Sequence, residues 1–436
     1  MRFTVRKHEL DKAVSVIRGS NALGRKEDEM LCLLSIEATN TDGKNKVELL
    51  ATNIGVWASA CVTDEDFSDL GEEASKNFSV EKPGRVLVDG HSFLNRIVTY
   101  PQNSIIHFTL ESKSSKGSEK SEFLQAKYEV KNAQKTKWKT CGFLLKNSDI
   151  FETMPPDEER KEASVPASHL YEAVNSVSFA AGSDETDHYL WGCQVQVYGN
   201  EVSAFSSDRS RLCWFDEKGR DREGEPELVF VPVKESFLSA LKNMEMTEQI
   251  DIEAGERYTI IKQRNQWHAV PNVMNPEELP DWREIAQKLK KTAVSTVRVP
   301  KKSILDFIKS ALTESTAQFG IGLSFDSENK TVSFSIDRIE VGNVLYSYID
   351  EGESLDDADF TGDIDSKVIL TIENVRDIIS RYSDEMVIFR VTNGTSPVEI
   401  MSNGDTIEYI SSTVRSLSEE HPSEESKEEP NEETEE

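Results

Sequence analysis

Seven histidines, five cysteines and one short acidic run are the residues of this chain best suited to chemistry. Their spacing argues against each use. His8, His91, His107, His169, His188, His268 and His421 are scattered, and no two stand at a spacing that would share a metal. Cys32, Cys61, Cys141, Cys193 and Cys213 include no C-x-x-C pair and no neighbouring base that would activate a thiol. Asp184, Glu185 and Asp187 could hold a cation, but they read better as a solvated turn ahead of a strand. No G-x-x-x-x-G-K-[ST] cradle or strand-borne G-x-G-x-x-G is present to hold phosphates. The expectation is no catalytic residue, no metal and no cofactor.

What remains is charge and pattern. The 436 residues carry 50 Lys+Arg against 79 Asp+Glu, a formal net charge of −29. An acidic chain is a poor general binder of nucleic acid unless positive charge is gathered locally. Ser416 to Glu436 hold ten Glu and one Lys, so −9 of the total sits in 21 residues and −20 elsewhere. With almost nothing apolar to bury, residues 417–436 are expected to be a disordered acidic tail. The charged N-terminus MRFTVRKHELDKAV lacks the apolar stretch of a signal peptide, and no apolar run approaches a membrane span. Together with the odd, dispersed cysteines, these features fit a reducing cytoplasm and no membrane partner.

The elements that would organise such a chain repeat. Val5, Leu10 and Ala13-Val14 recur in spacing as Val165, Leu170 and Ala173-Val174, and again as Val299, Ile304 and Phe307-Ile308. Each set leads a short β-like run into apolar positions at i, i+3 and i+4, the stripe of an amphipathic helix. A second unit follows in each third: Val86-Leu87-Val88 before Phe93, Leu94 and Ile97; Phe230-Val231-Pro232 before Phe237, Leu238 and Leu241; Val368-Ile369-Leu370 before Val375 and Ile379. Between them lie Val-, Ile-, Tyr- and Phe-rich segments separated by turns such as Asp42-Gly43 and Gly199-Asn200. The reading is α+β: three tandem domains, each with two helices packed on antiparallel sheet. Their expected bounds are 1–156, with an inserted mobile loop at about 111–126, then 163–284 and 293–416.

These residues resemble a known family, the sliding clamp of bacterial replication (the beta subunit of DNA polymerase III). MRFTVRKHELDKAVSVI, NALGRKEDEMLCLLSIEA and LLATNIGVWASACV follow its first-domain pattern in order. FAAGSDETDHYLWGCQVQV with FSSDRSRLCWF resembles its Tyr-Leu-x-Gly strand and Asp-x-x-Arg-Leu turn, and PEELPDWREI its proline-containing segment. VGNVLYSYI and TIEYISSTVRS resemble its last domain, so the likeness covers about residues 1–415.

The resemblance implies a non-catalytic processivity factor: a head-to-tail homodimer closing into a ring around double-stranded DNA, without sequence preference, and tethering the replicative DNA polymerase. An ATP-driven clamp loader is implied as a further partner, since the chain has no phosphate loop of its own. The setting would be a bacterial cytoplasm, or a host's if the chain is phage-encoded. A basic lumen can coexist with an acidic exterior because exposed charges more than roughly 8 Å apart are largely screened at physiological salt. Candidate lumen residues are Lys7, Lys12, Arg18, Arg96, Lys234, Lys242, Lys301, Lys302, Lys309, Arg376 and Arg381, with Arg25 and Lys26 in the turn after the first helix. The helix after Pro166 carries no Lys or Arg, so lumen charge would be uneven.

Carried over by position, a partner-peptide pocket would use Leu190, Ser207, Arg211, Leu212, Pro232, Phe237 and Ile410, with Val414 and Arg415 at its rim. Ser412-Thr413-Val414 replaces the family's Met-Pro-Met and Arg209-Ser210 its Gly-His, which implies a different preferred peptide. Phe143 and Leu144 would face Ala311 and Leu312 of the second protomer at the ring seam. The alternative is a protein-interaction scaffold on the same repeats that never encircles DNA.

Overall fold

The computed structural model describes residues 1–24, 31–53, 55–70, 77–113, 121–132, 135–147, 151–155, 158–182, 190–208, 210–216, 224–276, 284, 295–314, 319–326, 331–338, 359–361, 367–393, 396–402 and 407–411. The chain divides into two compact units: Met1–Ser206 with Asp216–Leu279, and Ser207–Phe215 with Pro280–Glu436.

The first unit begins with β1 (Arg2–Arg6), α1 (Lys7–Gly19), β2 (Leu33–Thr41), β3 (Lys44–Thr52) and β4 (Trp57–Thr63). It continues with β5 (Ser79–Lys82), β6 (Gly84–Asp89), α2 (Gly90–Val98), β7 (Ile105–Lys113), β8 (Ser121–Asn132) and β9 (Lys135–Leu144). After β10 (Lys161–Pro166) and α3 (Ala167–Val177) come β11 (Gln194–Tyr198) and β12 (Glu201–Ser207). The next strand, β13 (Arg211–Asp216), lies almost wholly in the second unit. The first unit closes with β14 (Leu228–Phe230), α4 (Lys234–Leu241), β15 (Gln249–Ala254), β16 (Tyr258–Gln263) and β17 (Gln266–Pro271).

Strands β5-β1-β7-β8-β9 form one antiparallel sheet, and β10-β15-β16-β17-β4-β3-β2-β6 form a second of eight strands. The eight-stranded sheet is made from two distant stretches of sequence. It is joined where β17 pairs antiparallel with β4, Trp57 opposite Ala269 and Ala58 opposite His268. The expected strand–helix units explain the packing. In α1 the buried Leu10, Ala13, Val14 and Ile17 form one stripe, and in α2 Phe93, Leu94 and Ile97 do the same. Phe93 lies between Phe108 of β7 and Phe143 of β9, at ring distances of 6.1 and 5.0 Å, and Phe3 stacks on Phe108 at 4.6 Å. Helices pack in pairs, α1 with α2 and α3 with α4. Asn243, just after α4, donates its Nδ2 to the Val16 carbonyl of α1 at 3.4 Å.

The second unit holds β13, then β18 (Ser295–Pro300), α5 (Lys301–Glu314), β19 (Phe319–Asp326), β20 (Thr331–Arg338), β21 (Asp359–Thr361) and β22 (Lys367–Thr371). It ends with α6 (Ile372–Ile379), β23 (Met386–Val391), β24 (Val398–Met401) and β25 (Ile407–Ser411). Here β20-β19-β22 form a three-stranded sheet, while β13, β25, β24, β23, β18 and β21 pair in that order. Helices α5 and α6 pack together, with Ile304, Ile308, Val375 and Ile378 buried.

All six expected strand–helix junctions are present, and the described residues are mixed α and antiparallel β as read from sequence. The charged stretch in the first third differs from its reading as a loop at about 111–126. Strand β7 runs on to Lys113 and β8 starts at Ser121, with Leu110 paired to Leu124 and Glu111 to Phe123. Alternation explains this: Leu124 and Ala126 face the core while polar neighbours stay outside. Residues 114–120 and the acidic tail lie outside the described residues. Among the described residues, no helix is long and apolar enough to cross a membrane.

Phe93→Ala removes the ring on which β7, β9 and α2 converge. It is expected to cost about 3–5 kcal/mol, read as a lower urea midpoint.

Candidate functional site

The expected cationic residues sort by what their side chains touch. Arg18, Arg96, Lys242, Lys302, Lys309 and Arg381 are exposed on or just beyond their helices. Lys12 is 63% exposed and pairs with Glu9 at 2.7 Å, and Arg376 is 43% exposed beside Asp377 at 3.0 Å. The Arg376–Asp377 pair is exposed and holds its members weakly, so Arg376 stays available to an outside anion, whereas Lys12 is tied to the buried Glu9. On α5, Lys302 and Lys309 lie off the buried Ile304–Ile308 stripe. Helix α3 has no Lys or Arg to contribute. Arg25 and Lys26 lie outside the described residues.

Lys7, Lys234 and Lys301 differ from the rest, and each stands first in its helix. Lys7 is 1% exposed and ion-paired with Asp11 one turn on, so it is no lumen charge. Lys234 donates its Nζ to the carbonyls of Ala181 at 2.8 Å and Gly182 at 3.1 Å, just past α3. Lys301 donates to the Tyr382 carbonyl just past α6. A cation there gives these carbonyls a charged donor and complements the partial negative charge at the nearby helix C-terminus. In α4 and α5 this first-turn side chain reaches the segment just past the paired helix, whereas Lys7 is held within its own helix by Asp11.

The expected peptide-pocket residues occur as two local constellations, one in each unit. In the first unit, Lys234 is the hub. Its backbone N–H donates to the Trp191 carbonyl at 3.1 Å, Cys193 N–H to the Pro232 carbonyl at 3.4 Å, and Gly182 N–H to the Leu190 carbonyl at 2.8 Å. Gly192 makes this knot feasible, because a Cβ there would stand 2.7 Å from Val231 Cγ1 and 3.0 Å from Val273 Cγ2. Leu190 is 7% exposed at its edge. Phe237 is fully buried against Phe230 at 5.7 Å, so it is core rather than pocket wall.

In the second unit, the Asp208 turn shapes the other constellation. Asp208 Oδ1 accepts the backbone N–H groups of Ser210 and Arg211 at 3.0 Å each, and Oδ2 accepts Arg211 Nε at 2.6 Å. Ser207 Oγ donates to the Arg211 carbonyl at 2.7 Å. Arg211 Nη1 donates to Asn374 Oδ1 of α6 at 2.8 Å, which fixes the plane of the guanidinium. Leu212, 6% exposed, is the register partner of Ile410. The sequence reading missed Asn374, although its place two residues before Arg376 on a striped helix was visible. Val414 and Arg415 lie outside the described residues.

At the expected seam, β9 is an edge strand of its sheet. Phe143 points into the core, 6% exposed, whereas Leu144 is 68% exposed, so Leu144 alone of that pair presents an apolar group outward. Register decides it: Phe143 sits opposite the buried Leu124. Ala311 and Leu312 fall in the last turns of α5, and their side chains lie outside the described residues.

Two thiols can be judged directly. Burial, reinforced by Glu48, pushes Cys61 up to about 11, and burial pushes Cys193 up to about 12. Neither thiol is an anionic nucleophile near neutral pH. Among the described residues, no group of three or more His, Cys, Asp or Glu is placed to hold a metal ion.

Comparison with known proteins bears on the fold. Residues 164–275 match the family described as DNA polymerase III beta subunit, central domain. The beta sliding clamp of Treponema pallidum is 30% identical over 98 residues, a stretch that is 22% of this chain and 26% of that relative. Over 95% of the chain, the fold is similar to the DNA polymerase III beta subunit of Pseudomonas aeruginosa, with TM-score 0.72, 14% identity and all of that chain covered. It is also similar to the Thermotoga maritima beta subunit, with TM-score 0.67, 19% identity and 99% of that chain covered. The fold is therefore that of the beta sliding clamps.

Lys234→Met, which strips a donor from two carbonyls, is expected to lower stability by about 1–3 kcal/mol. The exposed Lys302→Met should stay within about 0.5 kcal/mol. Parallel urea titrations compare the two.

Proposed function

We propose that this chain is a DNA polymerase processivity factor: a sliding clamp that encircles duplex DNA as a head-to-tail homodimer and tethers its partners through short apolar peptides. The observation that carries this reading is the sliding-clamp fold over 95% of the chain, with the six strand–helix junctions placed as the repeats require. The central-domain match at residues 164–275 supports it at the level of sequence.

Binding is to phosphate and not to base edges, which is what a tether that slides demands. Arg18, Arg96, Lys242, Lys302, Lys309 and Arg376 supply the contacts, with Lys12 and Arg381 at the margin; Arg25 and Lys26 are proposed by family position. Each such cation is worth little alone, and retention comes from closure of the ring. By family position, Leu190 and Pro232, and Arg211, Leu212 and Ile410, are proposed as partner-peptide contacts. Arg211, held by Asp208 and Asn374, would orient the peptide's backbone or terminal carboxylate. Closure uses the free edge of β9, with Leu144 as its apolar contact and Ala311 and Leu312 of the partner subunit opposite.

No step of this function is catalytic, and it needs neither metal nor cofactor. The chain lacks a phosphate loop, so an ATP-driven loader is proposed to open the ring. The replicative polymerase is the proposed cargo, and a bacterial or infected-host cytoplasm the proposed setting.

Replacing Arg96, Lys302 and Lys309 together with Gln should leave the urea midpoint within about 0.5 kcal/mol of the parent chain, since all three are exposed. The same variant should shorten retention on nicked circular DNA several-fold and reduce its salt dependence by about three charges' worth. Unchanged retention and salt slope would remove these residues from the DNA-facing surface.

A further inference from the structure

His268 is a titratable group that neither the fold nor the proposed function explains. It sits in β17, opposite Ala58 of β4 on one side and Ile261 of β16 on the other. It is 0% exposed, and neither ring nitrogen has a hydrogen-bond partner among the described residues. A buried imidazole without partners is tolerated only while neutral, because a buried charge needs a counter-charge or hydrogen bonds. We propose that His268 makes the β4·β17 joint the acid-labile element of this chain: protonation of its imidazole opens that joint while the five-stranded sheet stays closed.

The surroundings offer the imidazolium no rescue. On β4 and β16 the titratable groups are Cys61, Tyr258 and Lys262. Each is an odd number of residues from Ala58 or Ile261, and so projects from the opposite sheet face. On α1, Glu9 is engaged by Lys12. At α4, Lys234 is tied to two carbonyls, and Glu235 and Lys242 are exposed. In the nearby turns, Arg264 pairs with Glu248, and Asp66 accepts from Asn265. Burial alone acts on the ring, lowering its pKa from 6.5 to about 4.

The second unit has a counterpart joint that isolates the effect. There β13 pairs with β25, Leu212 opposite Ile410 and Cys213 opposite Tyr409. Leu212 lies four residues past Asp208 and Trp57 four past Asn53. Each turn residue caps its own loop, Asn53 by accepting Val56 N–H at 2.8 Å and Asp208 by accepting Arg211 N–H at 3.0 Å. Matching Trp57–Ala269 to Leu212–Ile410 puts Tyr409, also fully buried, where His268 stands. A tyrosine gains no proton between pH 7 and 4. Only the first joint carries the acid-sensitive side chain.

The folded-state pKa is depressed, so the open state binds the extra proton. Closure of the joint is fully stabilised above about pH 6.5 and weakens as pH falls from there toward 4. The test is amide hydrogen exchange on the full chain at pH 7.5 and 5.0, corrected for intrinsic exchange rates. From those two pKa values, residues 57–63 and 266–271 should lose about 30-fold protection at pH 5.0 relative to β7 and β8 of the same molecules. His268→Tyr, which borrows the side chain of the other joint, and His268→Leu should hold their loss to under about 3-fold. The proposal is overturned if the wild-type joint keeps pace with β7 and β8, or if the variants lose as much as the wild type. Should one variant fail to fold, the other and the wild-type internal comparison still decide. None of these readouts involves DNA, so the outcome is independent of the proposed function.

Discussion

The structure depends on one interaction, the antiparallel pairing of β4 with β17. Residues 57–63 and 266–271 are some two hundred positions apart, yet their hydrogen bonds fuse two short sheets into one of eight strands. A separate β4 or β17 would be an open edge, and open edges in a β-rich chain invite pairing with other molecules. Pairing them internally removes that hazard and fixes the helices on one continuous scaffold. The second unit repeats the device with β13 and β25. The same geometry leaves β9 as an edge of its sheet, and this is the strand proposed to pair between protomers.

Electrostatics then divides the cations into two kinds of work. Lys7, Lys234 and Lys301 stand first in their helices, where side chains reach to a carboxylate or to backbone carbonyls. Arg96, Lys302 and Lys309 stand off the apolar stripe and meet solvent. A net charge of −29 does not conflict with a DNA-encircling role, because screening makes the local arrangement of charges decisive rather than their sum. Topological closure lowers the demand further: a ring that cannot fall off needs only weak, sequence-blind contacts.

Much of this was legible from sequence, and the exceptions have a common cause. The i, i+3, i+4 stripes fix six helices, because helix burial depends on residues close in the chain. Leu10, Ala13 and Val14, with their two echoes, were sufficient to find the repeat. What the pattern could not supply was long-range register. Nothing near Trp57 names β17 as its neighbour, and nothing near Arg211 names Asn374. Phe143 and Leu144 are adjacent apolar residues, and only the pairing of Phe143 with Leu124 decides which one is buried. Lys234 misled for a similar reason: a lysine at a helix start looks solvent-facing until the segment after the neighbouring helix is placed. The charged segment after Leu110 read as a loop because its outward face dominates its composition, although its inward residues continue the strand.

The central claim is topological, and linearisation tests it most directly. Purified protein loaded on nicked circular plasmid should remain bound through a salt wash and leave promptly once a restriction cut gives the DNA free ends. Equal retention on circles and on cut molecules, or equal loss from both, would contradict a closed ring around the duplex.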